Sequence, residues 1–155
     1  MNDKVIAIIL GRKGSKGLRN KNTMEVLGKP SFSYSFTAAK KSKYVDKIFV
    51  SSDHNIILDA AINEGFSIIK RPKDLCTDEA LFEDALVHAY HEILNIINSK
   101  PKYIVVLMCN SVTINADLID KGVELLNNDN SADSAVTVSI FNMYSPLRAR
   151  KLGAE

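Results

Sequence analysis

Residues 5–10 read VIAIIL, and residues 11–22 continue directly as GRKGSKGLRNKN. The first run is apolar throughout, which is typical of a strand buried on both faces of a sheet. The second run combines glycines with basic side chains, so backbone N–H groups and cations can surround a polyphosphate. The glycines are Gly11, Gly14 and Gly17, and the basic residues are Arg12, Lys13, Lys16, Arg19 and Lys21. This strand and loop predict a phosphate site, and the alternative is a solvated basic turn.

The spacing of the glycines excludes two common phosphate motifs. A Walker loop needs Gly-x-x-x-x-Gly-Lys followed by Ser or Thr, whereas Gly17 is followed by Leu18. The dinucleotide fingerprint needs Gly-x-Gly-x-x-Gly at the start of a helix, and residues 11–22 lack the apolar period of a helix. We therefore expect any phosphate binding by this loop to use another motif.

The rest of the chain alternates between apolar β-branched runs and amphipathic stretches. The periodicity predicts strands over 4–10, 46–52, 66–70, 102–109 and 134–141, and helices over 31–42, 54–64, 79–98 and 116–127. Such alternation favours a mostly parallel sheet covered by helices on both faces, with ligands at the carboxyl ends of the strands. Gly11, Ser52, Arg71 and Cys109 each follow a predicted strand, so we expect their loops to converge.

Composition and charge limit the classes of protein that fit. The 155 residues are 46% hydrophobic and 25% charged, which suits one ordinary globular core. Residues 1–47 hold eleven Lys and Arg against three acids, a balance that suits a polyanionic small molecule. Nucleic acid is the alternative, but residues 11–22 contain no aromatic side chain on which bases would stack. No signal peptide or membrane span is recognisable, so we expect a cytoplasmic protein without a membrane partner.

The loop and four later motifs resemble the family of cytidylyltransferases that activate sialic acid and related keto-sugars. The family pattern of Ala-Arg-x-x-Ser-Lys-Gly and Lys-Asn corresponds here to residues 11–17 and to Lys21-Asn22. The similarity continues through Gly28-Lys29-Pro30 and residues 50–53, VSSD. It then includes Arg71-Pro72 and the stretch 75–80, LCTDEA. The motifs follow one another in the family's order along essentially the whole chain.

This resemblance implies a fold, a reaction and partners. The fold is the Rossmann-like three-layer nucleotide-diphosphosugar transferase fold, with a mostly parallel sheet. In the reaction, the anomeric hydroxyl of a nine-carbon keto-acid sugar attacks the α-phosphate of CTP, giving a CMP-sugar and pyrophosphate. The resemblance also implies Mg²⁺ as cofactor and a homodimer for the full-length protein. Residues 1–155 are expected to form one nucleotide-binding domain of a truncated nucleotidyltransferase, and this chain alone is expected to be inactive.

The resemblance also implies roles for individual residues, although no metal ligand can be named. Arg12 and Lys21 are the expected catalytic residues, acting on the triphosphate and the leaving pyrophosphate. The expected nucleotide-binding residues are Gly11, Gly14, Ser15, Lys16, Gly17, Asn22, Arg71, Ala80 and Phe82. The expected substrate-binding residues are Met108, Asn110 and Arg148.

Two stretches depart from the family pattern. Residues 107–114 read LMCNSVTI where the family has Leu-Gln-Pro-Thr-Ser-Pro-Leu-Arg, so a substrate-contacting Gln is replaced by Met108. The family's Ala-Ser-Ser at the base pocket reads Ala80-Leu81-Phe82, which loses both hydroxyls. We therefore expect loose base selectivity, unless Phe82 belongs to the core stripe of its helix. Another nucleotide such as GTP, another keto-sugar, or a non-catalytic nucleotide-binding domain stay open as alternatives.

Overall fold

The computed structural model describes residues 4–14 and 17–138 of the chain. Within them, four parallel strands form the central sheet in the order β5-β4-β1-β6. Their bounds are β1 Val5–Gly11, β4 Val45–Ser52, β5 Ser67–Lys70 and β6 Tyr103–Met108. A two-residue hairpin, β2 Glu25–Val26 with β3 Lys29–Pro30, stands apart from this sheet. The parallel, helix-covered sheet confirms the predicted α/β class.

Four helices flank the sheet in the described part of the chain. They are α1 Phe32–Lys41, α2 Asn55–Asn63, α3 Phe82–Ile97 and α4 Ala116–Asn128, and a 3₁₀ turn, Lys73–Cys76, precedes α3. Each predicted helix is present within a few residues of its expected bounds, because each carries an apolar stripe at helical spacing. None of these helices is long and apolar enough to cross a membrane.

The alternation of side chains along β1 divides the core into two layers. Ala7 and Ile9 pack with side chains from α1, α2 and α4, whereas Ile6, Ile8 and Leu10 pack with α3. All seven residues of β1 are buried, because this strand lies inside the sheet and has helices on both faces. The opening run of the sequence is thus the centre of the molecule.

The predicted strand 134–141 is wrong for the residues that the structure describes. Residues 134–138 have no strand assignment, and Val136 and Val138 are 78% and 90% exposed. An isolated β-branched segment gains nothing from its propensity without a partner strand, and 134–138 pair with none of the described strands. Residues 139–141 lie outside the described residues.

Candidate functional site

Loops from the ends of the parallel strands meet at one edge of the sheet. Because the strands are parallel, Gly11, Ser52, Lys70 and Met108 end on the same side. Backbone hydrogen bonds tie the next residues together: the Arg71 N–H donates to the Ser52 carbonyl at 3.0 Å, and the Cys109 N–H donates to the Leu10 carbonyl at 2.9 Å. The predicted convergence of Gly11, Ser52, Arg71 and Cys109 is confirmed.

Arg12 crosses from the end of β1 to the segment before α3. Its guanidinium donates to the Cys76 carbonyl at 3.3 Å and to the Asp78 carboxylate at 2.7 Å. Both partners of the ion pair are about one-third exposed, at 30% and 31%. Arg12 therefore joins the predicted phosphate loop to the segment 76–80, where the base pocket is predicted.

The backbone of the basic loop is held by neighbouring polar side chains. The Lys13 N–H donates to the Asp53 carboxylate at 2.6 Å, and the Asn22 side-chain amide donates to the Arg12 carbonyl at 2.8 Å. The Lys21 carbonyl accepts a hydrogen bond from the Ser31 hydroxyl at 2.6 Å. Asn22 is buried and Lys21 half-buried, so the amide of Asn22 orders the loop. Whether it also contacts a base stays a prediction.

Asp53 does something other than the capping role that its sequence position suggests. Ser51, Ser52, Asp53 and Asn55 together look like a helix start. In the structure, His54 is the first flanking residue of α2, and its side chain makes no cap hydrogen bond. The Asp53 carboxylate accepts from the basic loop instead, because the turn of that loop brings the Lys13 N–H within reach.

Arg71 is buried at the ends of β4 and β5. Its guanidinium donates to the Ser51 carbonyl at 3.0 Å and to the Ser51 hydroxyl at 3.4 Å. Burial lowers the pKa of Arg71, while the nearby Cys76 thiol and Asp53 carboxylate act in the opposite direction. Arg71 is therefore not a surface arginine. Its predicted contact with the nucleotide stays a prediction.

Gly11 lies against Cys109 where β1 and β6 end. A Cβ atom at Gly11 would clash with the Cys109 Sγ and lie 2.8 Å from its Cβ. Cys109 is fully buried, and burial raises the pKa of its thiol to about 12. Because only the thiolate is a competent nucleophile, Cys109 cannot serve as one near neutral pH.

The predicted base and sugar residues lie around this edge with more exposure. The Ala80 N–H donates to the Thr77 hydroxyl at 3.2 Å. Phe82 is the first residue of α3, is 37% exposed and lies outside both core clusters, so the alternative of a core Phe82 is wrong. Met108 is 42% exposed, and its carbonyl accepts from the buried Ser35 hydroxyl at 2.7 Å. Asn110 is exposed.

The remaining predicted residues add little geometry. Gly14 has a φ of +82°, which favours glycine at that turn. Gly17 is exposed, and a Cβ atom there would meet nothing within 4 Å. Ser15, Lys16 and Arg148 lie outside the described residues. Within 4–14 and 17–138, no group of three or more His, Cys, Asp or Glu side chains is arranged to hold a metal ion.

Asp78 and Ser51 have clear contacts at this edge but were not predicted as site residues. Asp78 pairs with Arg12, and Ser51 receives the guanidinium of Arg71. Both lie within the motifs that carry the family resemblance, VSSD and LCTDEA, but neither side chain has a spacing that would single it out. Their partners are 66 and 20 residues away in sequence, so only the fold brings them together.

Solved structures of other proteins share this fold. A search of the solved structures finds the same fold in a CMP-2-keto-3-deoxy-manno-octonic acid synthetase in complex with CTP, at a TM-score of 0.65 and 20% identity. The match covers 83% of this chain and 49% of that one. The fold implied by the sequence resemblance is confirmed.

Curated relatives give the closer sequence match. An N-acylneuraminate cytidylyltransferase of Escherichia coli O18:K1:H7 (strain RS218) is 39% identical over 57% of this chain and 21% of its own length. A pseudaminic acid cytidylyltransferase and UDP-2,4-diacetamido-2,4,6-trideoxy-beta-L-altropyranose hydrolase of Helicobacter pylori (strain 26695) is 32% identical over 96% of this chain and 28% of its own. The chain thus spans between a fifth and a third of these two relatives.

The family itself follows from the match along the whole chain. The sequence profile of the family described as "Cytidylyltransferase" matches residues 6–152, which include both the basic loop and the edge of the sheet that it joins. The family indicated by the motifs of the sequence is thereby confirmed, and the chain belongs to the cytidylyltransferase family.

Proposed function

We propose that this chain binds CTP and that the protein to which it belongs transfers CMP to a sialic-acid-like keto-sugar. One observation carries the proposal: Arg12 of the basic loop bonds the segment 76–80, so the predicted phosphate loop and base segment share one edge of the sheet. The names of the relatives, which act on N-acylneuraminate and on pseudaminic acid, support a nine-carbon keto-acid as the acceptor.

The chemistry asked of these residues is positioning and neutralisation of charge. Displacement at the α-phosphate leaves pyrophosphate, whose negative charge grows as the bond to it breaks. Arg12 and Lys21 would bind the triphosphate and stabilise that leaving group, and backbone N–H groups between Gly14 and Gly17 would bind the same oxygens. Asn22, Ala80 and Phe82 would surround the base. Met108 and Asn110 would face the sugar.

Magnesium belongs to the proposal only through the family resemblance. The described residues do not supply a set of carboxylates, cysteines or histidines that fits a metal ion. Asp53 and Asp78, the carboxylates with contacts at this edge, accept hydrogen bonds from Lys13 and Arg12. No step of the reaction is therefore assigned to the metal. The homodimer and the cytoplasmic location likewise stay predictions.

The phosphate site is tested by calorimetric titration of the chain with CTP. Arg12→Ala and Lys21→Ala should each weaken binding by about 1.5–3 kcal/mol, the range for hydrogen bonds to charged groups. Lys47→Ala is the matched control, because Lys47 is exposed and pairs with Ile6 at the opposite end of β1. Unchanged binding in both loop variants, with the fold intact, would remove the assignment.

The choice of base distinguishes the proposal from its nearest alternative, a transferase that uses another nucleotide such as GTP. Phe82 stands where the family has a hydroxyl, and it is exposed at the start of α3. A site that forms hydrogen bonds with the polar edge of a base discriminates between bases more strongly than an apolar site does. Phe82→Ser should therefore raise the preference for CTP over UTP and GTP, measured as a ratio of dissociation constants. Tighter binding of GTP than of CTP by the natural chain would favour the alternative.

The acceptor sugar and the catalytic step need a separate measurement. The N-acylneuraminate and pseudaminic acid enzymes differ in the sugar that they accept. The same proposal for the nucleotide site is therefore compatible with another keto-sugar as the acceptor. A non-catalytic nucleotide-binding domain would bind CTP without releasing pyrophosphate. Pyrophosphate release by the protein with CTP, magnesium and a panel of keto-acid sugars separates these cases.

A further inference from the structure

The ion pair between Arg12 and Asp78 connects two parts of the site that are distant in sequence. Arg12 directly follows β1, and Asp78 lies between the 3₁₀ turn 73–76 and α3. The pair is 2.7 Å long, and the Cys76 carbonyl accepts from the other terminal nitrogen of the same guanidinium at 3.3 Å. The two acceptors hold the plane of the guanidinium at two points, so its orientation is defined before any nucleotide binds.

This arrangement still leaves Arg12 able to bind an anion. A guanidinium carries five N–H donors in a planar fork, and the two bonds to Cys76 and Asp78 need only two of them. The side chains of the pair are 30% and 31% exposed, so the group is reachable from solvent. A long side chain that is already ordered loses less conformational entropy when a ligand binds.

We infer that Asp78 is a positioning residue, which holds the Arg12 guanidinium in the orientation that receives the triphosphate. The inference rests on the proposed function, since it deepens the role of Arg12 at the same site. Asp78 touches neither the phosphates nor the sugar in this scheme. Its carboxylate acts through Arg12, and it also fixes the segment that leads to Ala80 relative to the basic loop.

An opposing effect has to be separated from positioning. A carboxylate close to a polyphosphate repels it, and this repulsion is screened where the groups are exposed to water. Asp78→Asn removes the negative charge but keeps a side-chain oxygen that can accept from Arg12. Asp78→Ala removes both, so the two variants together distinguish orientation from repulsion.

The test is titration calorimetry of the 155-residue chain with two probes, inorganic tripolyphosphate and CTP. Asp78→Ala should raise the dissociation constant for both probes about fivefold, the order expected when one rotamer-rich side chain must be ordered on binding. Asp78→Asn should stay within about twofold of the natural chain, because its amide oxygen can accept the hydrogen bond. In an Arg12→Ala background, Asp78→Ala should raise the dissociation constants by clearly less than it does in the natural chain, since the group it positions is gone.

The matched control for these titrations is Asp74→Ala. Asp74 is an exposed acid in the neighbouring 3₁₀ turn, and its removal should leave both dissociation constants unchanged. If the Asp78→Ala variant fails to fold, Asp78→Ser replaces it. The serine side chain is too short to reach Arg12, so both dissociation constants should again rise about fivefold. Tighter binding by Asp78→Ala, no change, or an equal loss without Arg12 would overturn the inference. A natural chain that binds neither probe would overturn the proposed function as well, so the two failures differ.

Discussion

At the scale of single residues, Gly11 is defined by what it touches. A Cβ atom there would overlap with Cys109 and approach the Ile57 methyl at 3.3 Å. We expect Gly11→Ala to lower the free energy of unfolding by about 1–3 kcal/mol, the usual cost of overpacking a tight core. In a Cys109→Ala background the cost should shrink, because the nearer clash is gone.

Urea unfolding of the natural chain, both single variants and the double variant measures this coupling. Gly17→Ala is the control, because Gly17 is exposed and a Cβ there meets nothing within 4 Å. It should change stability by less than about 0.5 kcal/mol. Equal costs of Gly11→Ala with and without the Cys109 thiol would contradict the packing argument.

The buried thiol of Cys109 also makes stability depend on pH. Burial raises its pKa from the ordinary 9.0 to about 12, so the native state keeps the proton where the unfolded chain loses it. The stabilising contribution is therefore complete below pH 9.0 and is lost as the pH rises toward about 12. Between about pH 9 and pH 11, the free energy of unfolding should fall more steeply for the natural chain than for Cys109→Ala. Parallel slopes would mean that the thiol is not buried in solution.

At this scale the sequence predicts where a site residue lies along the chain, but not which residue it forms a hydrogen bond with. The position of Arg71 after a strand predicted its place at the edge, yet its burial against Ser51 depends on the pairing of β4 with β5. Likewise the basic loop was predicted, whereas the bond of Arg12 to Asp78 required the fold. These contacts join residues 20 and 66 positions apart, so no local pattern reveals them.

At the scale of elements, helix starts show why a local signal can mislead. The polar cluster at 51–55 resembles a helix N-terminus, but no side chain caps α2. The capping side chain is instead present at α4, where the Asn115 side-chain oxygen accepts from the Leu118 N–H at 2.9 Å. At 51–55 the Asp53 carboxylate accepts a hydrogen bond from the basic loop instead of capping α2. The sequence of α2 alone does not show that the loop offers this second donor.

This difference between the two helices can be measured. Asn115→Ala should lower the free energy of unfolding by about 0.5–2 kcal/mol, because one N–H at the start of α4 loses its acceptor. His54→Ala, at the matching position of α2, should cost less, since His54 supplies no cap hydrogen bond. Chemical denaturation of both variants decides the point, and a larger loss for His54→Ala would contradict the assigned caps.

A predicted strand formed where the fold supplies a partner strand for it. Four of the five predicted runs became the parallel sheet, because each pairs with β1 or with a strand that does. The hairpin β2–β3 was missed, since its turn uses Leu27 and Gly28, both at positive φ, rather than an Asn-Gly or Asp-Gly signal. Residues 134–138 had the propensity of a strand but no described partner.

At the scale of the whole molecule, the two faces of the sheet are covered unequally. Within the described residues, α1, α2 and α4 pack on one face, whereas α3 packs on the other. Ile104, Val106 and Met108 of β6 pair with Ile6, Ile8 and Leu10, so by register they share the face of α3. They remain 38–42% exposed, while their three partners on β1 are 0–4% exposed.

Because the two faces are covered unequally, two neighbouring residues on paired strands should contribute unequally to the free energy of unfolding. Ile8 is fully buried and Val106, its register partner, is 40% exposed. Ile8→Ala should lower the free energy of unfolding by about 2–5 kcal/mol, because it leaves a cavity under α3. Val106→Ala should cost about 1 kcal/mol or less, since much of its side chain already contacts water. Urea unfolding of both variants gives the comparison, and a loss at Val106 that approaches the loss at Ile8 would mean that this face of β6 is covered in solution.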